Sequence, residues 1–316
     1  MARYLGLRIG QAVIVLWAAY TVAYLILYLL PGDPLAIMLT ASGIEADALS
    51  DEQLAQARAH YGLDRGFLEQ YWLGLTAAVR GDFGQSLTKA VPVAQLLAER
   101  LPATFLLAGV AVVLSILAGV GLASLAAASP WRSVRRVLSR LPAIGFSAPT
   151  FWIGLLLIQL FAFTLGWLPA TGSDGWQSLV LPAITLSIPS AAVYAQVLYK
   201  GLVAEQRQAY ATTAAAKGLS RGEVQWRHVF RNAALPLLTL VGLQVGNTVS
   251  GATIVETVFA RVGIGRLAQE SVLAQDIPVV LGIVTVSAAA FVVVNLVVDL
   301  LYPLLDPRIS HTAKVA

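Results

Sequence analysis

The sequence predicts an all-α membrane protein with six transmembrane helices. Only 12% of the 316 residues are charged, against about 25% in a typical soluble domain. Hydrophobic residues make up 58%, and the mean hydropathy is +0.75. Six stretches of at least 22 residues contain no Asp, Glu, Lys or Arg, and a helix needs about 20 apolar residues to cross a bilayer. These stretches are residues 9–32, 101–131, 141–173, 175–199, 232–255 and 277–298. This composition excludes an ordinary soluble enzyme.

The first stretch is either a signal peptide or a retained helix. Arg3 and Arg8 supply a basic flank that suits both. The apolar run from Ile9 to Leu30 is longer than a signal-peptide core of about 7–15 residues. It ends in Leu-Leu-Pro-Gly-Asp-Pro and not in a small-residue cleavage site. We therefore expect a retained transmembrane helix.

Basic residues concentrate in alternate connecting segments. The N-terminus, residues 132–140, residues 200–231 and the C-terminal tail hold fourteen of the 21 Lys and Arg residues. Residues 33–100 instead hold five basic and nine acidic residues. The positive-inside rule therefore predicts that both termini are cytoplasmic. The net charge of +4 then marks the inner face and its contact with membrane lipid, and no nucleic-acid partner is expected.

The segment between the first two apolar stretches contains two predicted helices. Ser50 and Gln53 form a capping-box pattern, which predicts a helix to about His60 that Gly62 breaks. Phe67-Leu68, Tyr71-Trp72 and Leu75 then give an amphipathic helix that Gly81 ends. Its aromatic residues suit a membrane interface. The segment is either a cap on the outer membrane surface or a docking platform for an external partner, which we favour.

The loop at residues 200–235 predicts a helical hairpin. Gln206–Ala216 has a strong helix-forming composition, and Gly218 is placed to end that helix. Ser220 and Glu223 form a second capping box, and the following helix runs to Leu235-Pro236. Small residues at the corner allow close approach of a partner surface. A solvated hairpin without a partner is the alternative, and attachment to the bilayer at both ends argues against DNA binding.

The residues that support catalysis or ion coupling are missing from the predicted bundle. None of the four lysines is followed by Ser or Thr, as a phosphate-binding loop requires. The chain has no cysteine, and His60, His228 and His311 lie in loops or the tail. Asp299 is the one acidic candidate near membrane depth, at the inner end of helix six. We expect no catalytic residue, metal site or cofactor in this chain, so the energy for transport must come from elsewhere.

The predicted bundle instead contains small and neutral polar residues. Gly242 and Gly246 form a GxxxG pattern that allows close helix packing. Buried amides and hydroxyls in a membrane either join helices or line a translocation path. The candidates for the path are Gln159, Gln244, Asn247, Ser250 and Asn295.

A series of short motifs extends along nearly the whole chain. The motifs are Leu30-Pro31-Gly32-Asp33-Pro34, Tyr61-Gly62-Leu63-Asp64, Gly81-Asp82-Phe83-Gly84, Arg100-Leu101-Pro102-Ala103-Thr104, Ala216-Lys217-Gly218-Leu219-Ser220, Arg227-His228, Arg231-Asn232-Ala233-Ala234-Leu235-Pro236, Asn295-Leu296-Val297-Val298-Asp299-Leu300-Leu301-Tyr302 and Asp306-Pro307-Arg308-Ile309. In these motifs and in their order, the chain resembles the B-type permease subunit of the dipeptide/oligopeptide/nickel family of bacterial ABC importers.

The resemblance implies a type I ABC importer permease bundle in the bacterial inner membrane. Residues 1–30 would be the N-terminus and helix one, 31–100 a structured extracytoplasmic loop, 101–306 helices two to six with the coupling loop 200–235, and 307–316 a cytoplasmic tail. The implied partners are a second homologous permease, two cytoplasmic ATPases that carry ATP and Mg, and an extracytoplasmic solute-binding protein. The residues implied in ATPase coupling are Thr213, Ala214, Ala215, Ala216, Lys217, Gly218, Leu219, Ser220 and Glu223.

The resemblance favours a di- or oligopeptide as substrate, with nickel, another metal chelate or an opine-like compound as alternatives. A stand-alone secondary transporter or channel is the competing function. The chain departs from the family pattern at Arg261-Val262, where the family usually has Trp-Pro, and at Gln196 and Tyr199, where arginines are common. The first change affects a binding-protein or gate contact, and the second alters the charge near the inner mouth.

Overall fold

The computed structural model describes residues 2–29, 35–36, 39, 49–60 and 64–305. Within these residues the regular elements are helices, apart from one isolated β-bridge between Gln85 and Pro92. The helices are α1 (Ala2–Leu29), α2 (Asp51–His60), α3 (Phe67–Val79), α4 (Val93–Ala128), α5 (Arg132–Ser147), α6 (Thr150–Leu157) continued by a π-helical segment (Ile158–Thr164), α7 (Gln177–Glu205), α8 (Ala209–Ala216), α9 (Arg221–Val224) continued by a π-helical segment (Gln225–Val229), α10 (Phe230–Ala233), α11 (Leu235–Val258), α12 (Ile264–Leu273) and α13 (Ile277–Leu305).

Four helices are individually long and apolar enough to cross a membrane. They are α1, α4, α7 and α13, and they contain most of the first, second, fourth and sixth charge-free stretches. Two further spans exist if each of two bent helix pairs counts as one. The chain therefore has four to six candidate spans among its described residues.

The charge-free stretch 141–173 does not form the single straight helix that the sequence predicts. α5 begins at Arg132, ends at Ser147 and is bent by 106° from the helix that follows Pro149. The proline has no backbone N–H and disfavours helical dihedrals at the residue before it. Ala148 accordingly has an extended ψ of 131°. Composition alone measures apolar length and does not report this change of direction.

The fifth span is bent by 47° between Gln244 and Gly246. The bend falls inside the predicted GxxxG pattern, where glycine gives the backbone freedom to kink. The prediction that these glycines allow close helix packing remains a prediction.

The described chain divides into two compact units. The first unit is formed by residues up to Pro102 together with Gly263–Val293. In it, α1 and α3 share a cluster of Tyr20, Tyr24 and Tyr71, and the Thr21 and Tyr71 hydroxyl oxygens are 2.8 Å apart. In the described part of the segment after the first span, α3 therefore packs on α1.

The predicted helix boundaries in this unit are confirmed where the structure describes them. Gln53 donates its backbone N–H to Ser50 Oγ at 3.3 Å, and Ser50 N–H is donated to Gln53 Oε1 at 2.9 Å. α3 ends at Val79, and Gly81 follows with a φ of +80°. The predicted break at Gly62 lies outside the described residues, as do the motifs 30–34 and 306–309.

The second unit contains Ala103–Val262 and the end of α13. Helices α4 and α7 approach closely there, because a Cβ added to Gly119 would lie 2.7 Å from Tyr194 Cβ. One apolar core joins α4, the π-helical segment after α6, α7 and α11. Another core joins α4 and α7 to the segment 209–233, which we call the hairpin.

Candidate functional site

The hairpin is built much as the sequence predicts. Residues Gln206 to Gln208 form turns after α7, so the first hairpin helix begins at Ala209 and not at the predicted residue 206. α8 ends at Ala216, Gly218 has a φ of +89°, and Ser220 starts the second arm. That arm contains a π-helical segment and leads directly into α11, which has Pro236 in its first turn.

The corner, residues 217–220, presents its residues to solvent. Lys217, Gly218 and Ser220 are exposed, and Leu219 is half-buried against the apolar core below it. A Cβ added to Gly218 would meet no atom within 4 Å, so glycine is required there by its positive φ and not by crowding. The corner therefore has free space above a left-handed turn.

The predicted coupling residues lie together around this corner. Ala214 is buried, whereas Thr213, Ala215, Ala216 and Glu223 are exposed. The Thr213 hydroxyl donates to the Ala209 carbonyl oxygen at 2.9 Å, so it is bound within its own helix. Of the nine predicted coupling residues, Ala214 is buried, Leu219 is half-buried and the others are exposed.

A complete capping box fixes the start of the second arm. Glu223 N–H is donated to Ser220 Oγ at 3.3 Å, and Ser220 N–H is donated to Glu223 Oε2 at 2.9 Å. The Ser220 hydroxyl also donates to Glu223 Oε2, at 2.8 Å. The hydrogen bond from the Ser220 backbone, and to a smaller extent the one from its hydroxyl, lower the pKa of the Glu223 carboxyl. Glu223 therefore remains ionised at neutral pH and stabilises the start of α9.

The base of the hairpin is tied by a second polar group. The Tyr210 hydroxyl donates to the Glu205 carboxylate, and Asn232 Nδ2 donates to the same hydroxyl oxygen at 3.3 Å. Desolvation, followed by the hydrogen bond to Glu205, raises the pKa of Tyr210. This group joins the end of α7 to the start of α8 and to α10.

The inner face of the hairpin shares an apolar core with two membrane helices. Ala211, Ala214, Val224, Val229 and Ala233 pack in one cluster with residues of α4 and α7. A Cβ added to Gly201 would lie 2.9 Å from the Ala233 carbonyl oxygen, so α7 and α10 are in near contact.

A buried hydrogen bond also links the hairpin to α4: Gln225 Nε2 donates to the Ser124 carbonyl oxygen at 3.2 Å. The hairpin is therefore attached to α4 and α7 by a shared, close-packed core that resists deformation.

The five predicted path residues are only partly brought together. Asn247 Nδ2 donates to Gln244 Oε1 at 2.6 Å, and Ser250 lies exposed one turn further along α11. Gln159 is exposed on the π-helical segment after α6, and Asn295 is half-buried in α13. The side chain of Asp299 lies outside the described residues. The assignment of these residues to a path remains a prediction.

Sequence reasoning missed a buried polar group at the end of α11. Glu256 is 1% exposed and accepts a hydrogen bond from Thr104 Oγ1 at 2.6 Å. Arg261 is also buried and donates through Nη1 to the Ser178 carbonyl oxygen at 2.8 Å. Desolvation lowers the pKa of Arg261, while the Glu256 carboxylate opposes this effect. These contacts join α4, α7 and α11, so the departure at Arg261 changes an internal contact.

A second missed residue is Asp276, between α12 and α13. It is 1% exposed, and its Oδ2 accepts hydrogen bonds from Ser86 Oγ at 2.5 Å and Thr88 Oγ1 at 2.8 Å. The backbone N–H groups of Leu87 and Thr88 also donate to this carboxylate, each at 3.2 Å. Asp276 therefore fixes the turn at residues 86–89. The one signal in the sequence is that Asp276 directly precedes the sixth charge-free stretch.

Two family models match adjoining parts of the chain. "Binding-protein-dependent transport system inner membrane component" matches residues 119–311, which include the hairpin. "Binding-prot-dependent transport system membrane comp, N-term" matches residues 1–108.

Similar proteins are found among curated sequences and solved structures. The glutathione transport system permease protein GsiC of Escherichia coli strain K12 is 36% identical over 311 residues, covering 98% of this chain and 100% of the relative. GsiC of Salmonella typhi is 36% identical over 313 residues, with the same coverage. An inward-facing structure of the MetNI methionine ABC transporter has a TM-score of 0.55 at 14% identity, covering 67% of this chain and 97% of that chain. This last likeness concerns the fold.

Proposed function

This chain belongs to the family of binding-protein-dependent transport system inner membrane components, and from that membership we propose how its parts serve import. It is the permease subunit of an ABC importer, as the resemblance of its motifs indicates. The observation that carries the proposal is the hairpin, whose corner is exposed and whose base shares a core with α4 and α7.

The proposed topology has six spans with both termini in the cytoplasm. Counting each bent pair as one span gives six crossings. The distribution of basic residues then places residues 132–140 and the hairpin on the cytoplasmic side. The segment that contains α2 and α3 and the turn at 86–89 falls on the opposite side, where a solute-binding protein would dock.

The proposed partners are a second homologous permease, two cytoplasmic ATPases and an extracytoplasmic binding protein. ATP and Mg would be held by the ATPases, and this chain would supply half of the translocation path. Closure of the ATPases would push on residues 213–220, and the apolar core would carry the displacement to α4 and α7. The bundle would then alternate between inward- and outward-facing states.

The proposed substrate is a di- or oligopeptide. The support is the 36% identity to permeases of glutathione transport over essentially their full length, since glutathione is a peptide. The bundle's candidate path residues are amides and a hydroxyl, which suit a polar, neutral peptide backbone through hydrogen bonds. Nickel or another chelate is the alternative cargo.

Reconstitution tests the proposed function directly. The chain, co-expressed with its candidate partners and placed in proteoliposomes, should take up labelled di- and tripeptides only with ATP, Mg and the binding protein present. Omitting any one of these should reduce uptake to background. Uptake by the chain alone, driven by a proton or sodium gradient, would replace the proposal by a secondary transporter.

A further inference from the structure

Helix α5 (Arg132–Ser147) separates basic and apolar side chains onto different faces. With about 100° between successive residues of a helix, Arg132, Arg136 and Arg140 project from one side. Val137 and Ile144 project from the other side and are 59% and 67% exposed. Such a helix, apolar along one face and basic along the other, is typical of membrane interfaces.

One side of α5 is covered by the described part of the chain. A Cβ added to Gly145 would lie 3.2 Å from Ile188 Cγ2 and 3.4 Å from Ala192 Cβ, so this side packs on α7. Pro142 is buried on the same side. The apolar face next to it, which also includes Leu141, stays largely exposed within the described part of the chain.

The direction of α5 brings this face toward the bilayer surface. The helical segment after Pro149, residues 150–164, has 15 residues and spans about 22 Å, which is short of a hydrocarbon core of about 30 Å. A helix at 106° to this segment adds almost no depth along it, so α5 does not continue the span and runs beside its end. Since α5 turns away by 106°, its arginine-bearing start is left at the headgroup level.

The arginines of α5 form no ion pair with another described residue of the chain. The sequence holds no acidic residue between Glu99 and Asp174. Trp131, which precedes the helix, is 70% exposed and suits an interfacial position. Guanidinium groups bind phosphate through paired hydrogen bonds.

We propose that α5 is an anionic-lipid binding surface. Its arginines at positions 132, 135, 136 and 140 bind the phosphates of acidic phospholipids, and its exposed apolar face lies among the acyl chains. The assignment to the inner leaflet rests on the proposed orientation of the chain. The lipid contact itself rests on the two faces of α5.

Single-cysteine labelling tests the placement, because the chain contains no cysteine. Val137→Cys and Ile144→Cys are compared with Ser139→Cys and Ala143→Cys on the basic side, in the assembled importer in vesicles of phosphatidylcholine and phosphatidylglycerol. Spin labels at the first pair should collide with oxygen, and labels at the second pair with a water-soluble nickel chelate. Labels at Val137 and Ile144 that meet the nickel chelate, or neither reagent, would overturn the proposal, since water or a protein subunit would then cover the face.

Lipid selectivity tests the charges. Each arginine near an anionic surface strengthens binding severalfold, but the measured preference of spin-labelled phosphatidylglycerol over phosphatidylcholine averages over all lipids around the importer. It should therefore fall by about twofold in the double variant Arg132→Gln, Arg136→Gln. The control double variant Arg65→Gln, Arg80→Gln should keep the preference. An unchanged preference in the α5 variant would overturn the proposal.

The side of the membrane is measured separately. A membrane-impermeant maleimide should label Ser139→Cys only after spheroplasts are opened. Labelling from outside would overturn the proposed orientation and the inner-leaflet assignment. It would leave intact the lipid contact measured by the spin labels.

Discussion

The hairpin and the turn at residues 86–89 both lie outside the spans, and they are fixed in opposite ways. The hairpin is fixed by distributed contacts: an apolar core, a capping box, and polar links through Tyr210 and Gln225. The turn has internal hydrogen bonds and a half-exposed ion pair between Lys89 and Glu270, but its one buried charged contact among the described residues is the carboxylate of Asp276, which accepts four hydrogen bonds. A segment with distributed contacts should resist the loss of any one bond, whereas a turn whose hydrogen bonds converge on one carboxylate should depend strongly on it. The following substitutions test this difference between the hairpin and the turn.

The largest effect is expected from Asp276→Ala. It leaves the donors of Ser86 and Thr88 without their acceptor, and losing hydrogen bonds to a buried charge costs about 3 kcal/mol. Amide hydrogen exchange in residues 84–92 should accelerate by about 100-fold, since each 1.4 kcal/mol is about tenfold.

The matched control is Glu270→Gln, which removes a half-exposed ion pair with Lys89. Its effect should stay below about 1 kcal/mol. Equal exchange rates in the Asp276 and Glu270 variants would show that the turn does not depend on Asp276.

The next effect concerns the base of the hairpin. Gly201→Ala places a methyl group against the Ala233 carbonyl oxygen, and overpacking of this kind costs about 1–3 kcal/mol. Gly222→Ala is the control, because its Cβ meets nothing within 4 Å and alanine favours a helix. Thermal unfolding of the purified importer should shift downward for the first variant only. Equal shifts would argue against close packing of α7 and α10.

The third change is at the corner. Gly218→Asp should leave membrane insertion intact and reduce ATP-driven uptake by at least about tenfold, because an unpaired charge enclosed at an interface costs several kcal/mol. ATP hydrolysis should continue without uptake.

Gly218→Asn separates charge from conformation, since asparagine has a similar size and tolerates a positive φ. It should retain more uptake than the aspartate variant. Normal ATP-driven uptake by Gly218→Asp would count against a coupling role for the corner.

The smallest effect is expected from Ser220→Ala, which removes half of the capping box and costs about 1 kcal/mol. The contribution of Glu223 is pH-dependent: because its folded pKa is lowered, the stabilisation is present above the ordinary carboxyl pKa and is lost as the pH falls through the folded one. The protection of the amides of residues 221–224, measured relative to the intrinsic exchange rate at each pH, should therefore fall in acid in the wild type. A wild type whose protection stayed constant with pH would contradict the capping role.

Local signals in the sequence predicted the hairpin well. Ser220, Glu223 and Gly218 act within a few residues of one another, and their roles were readable from spacing alone. The direction of α5 was missed because the apolar content of 141–173 carries no information on the angle introduced at Pro149.

The buried charges were missed for a different reason. Asp276 and Ser86 are 190 residues apart in the sequence, and Glu256 and Thr104 are 152 apart. Glu256, Arg261 and Asp276 lie in a connection between two charge-free stretches, and nothing in the sequence around them indicates that they are buried. Only the folded chain shows which of these charges face inward.

Cross-linking from the corner tests most directly the claim that the hairpin receives force from an ATPase. Lys217→Cys, carrying a thiol-linked photoreactive benzophenone in the otherwise cysteine-free chain, should form an adduct with the ATPase subunit of the functional importer. Thr76→Cys, exposed on α3, should form none. An importer that transports normally while the probe at residue 217 never reaches the ATPase would contradict the account.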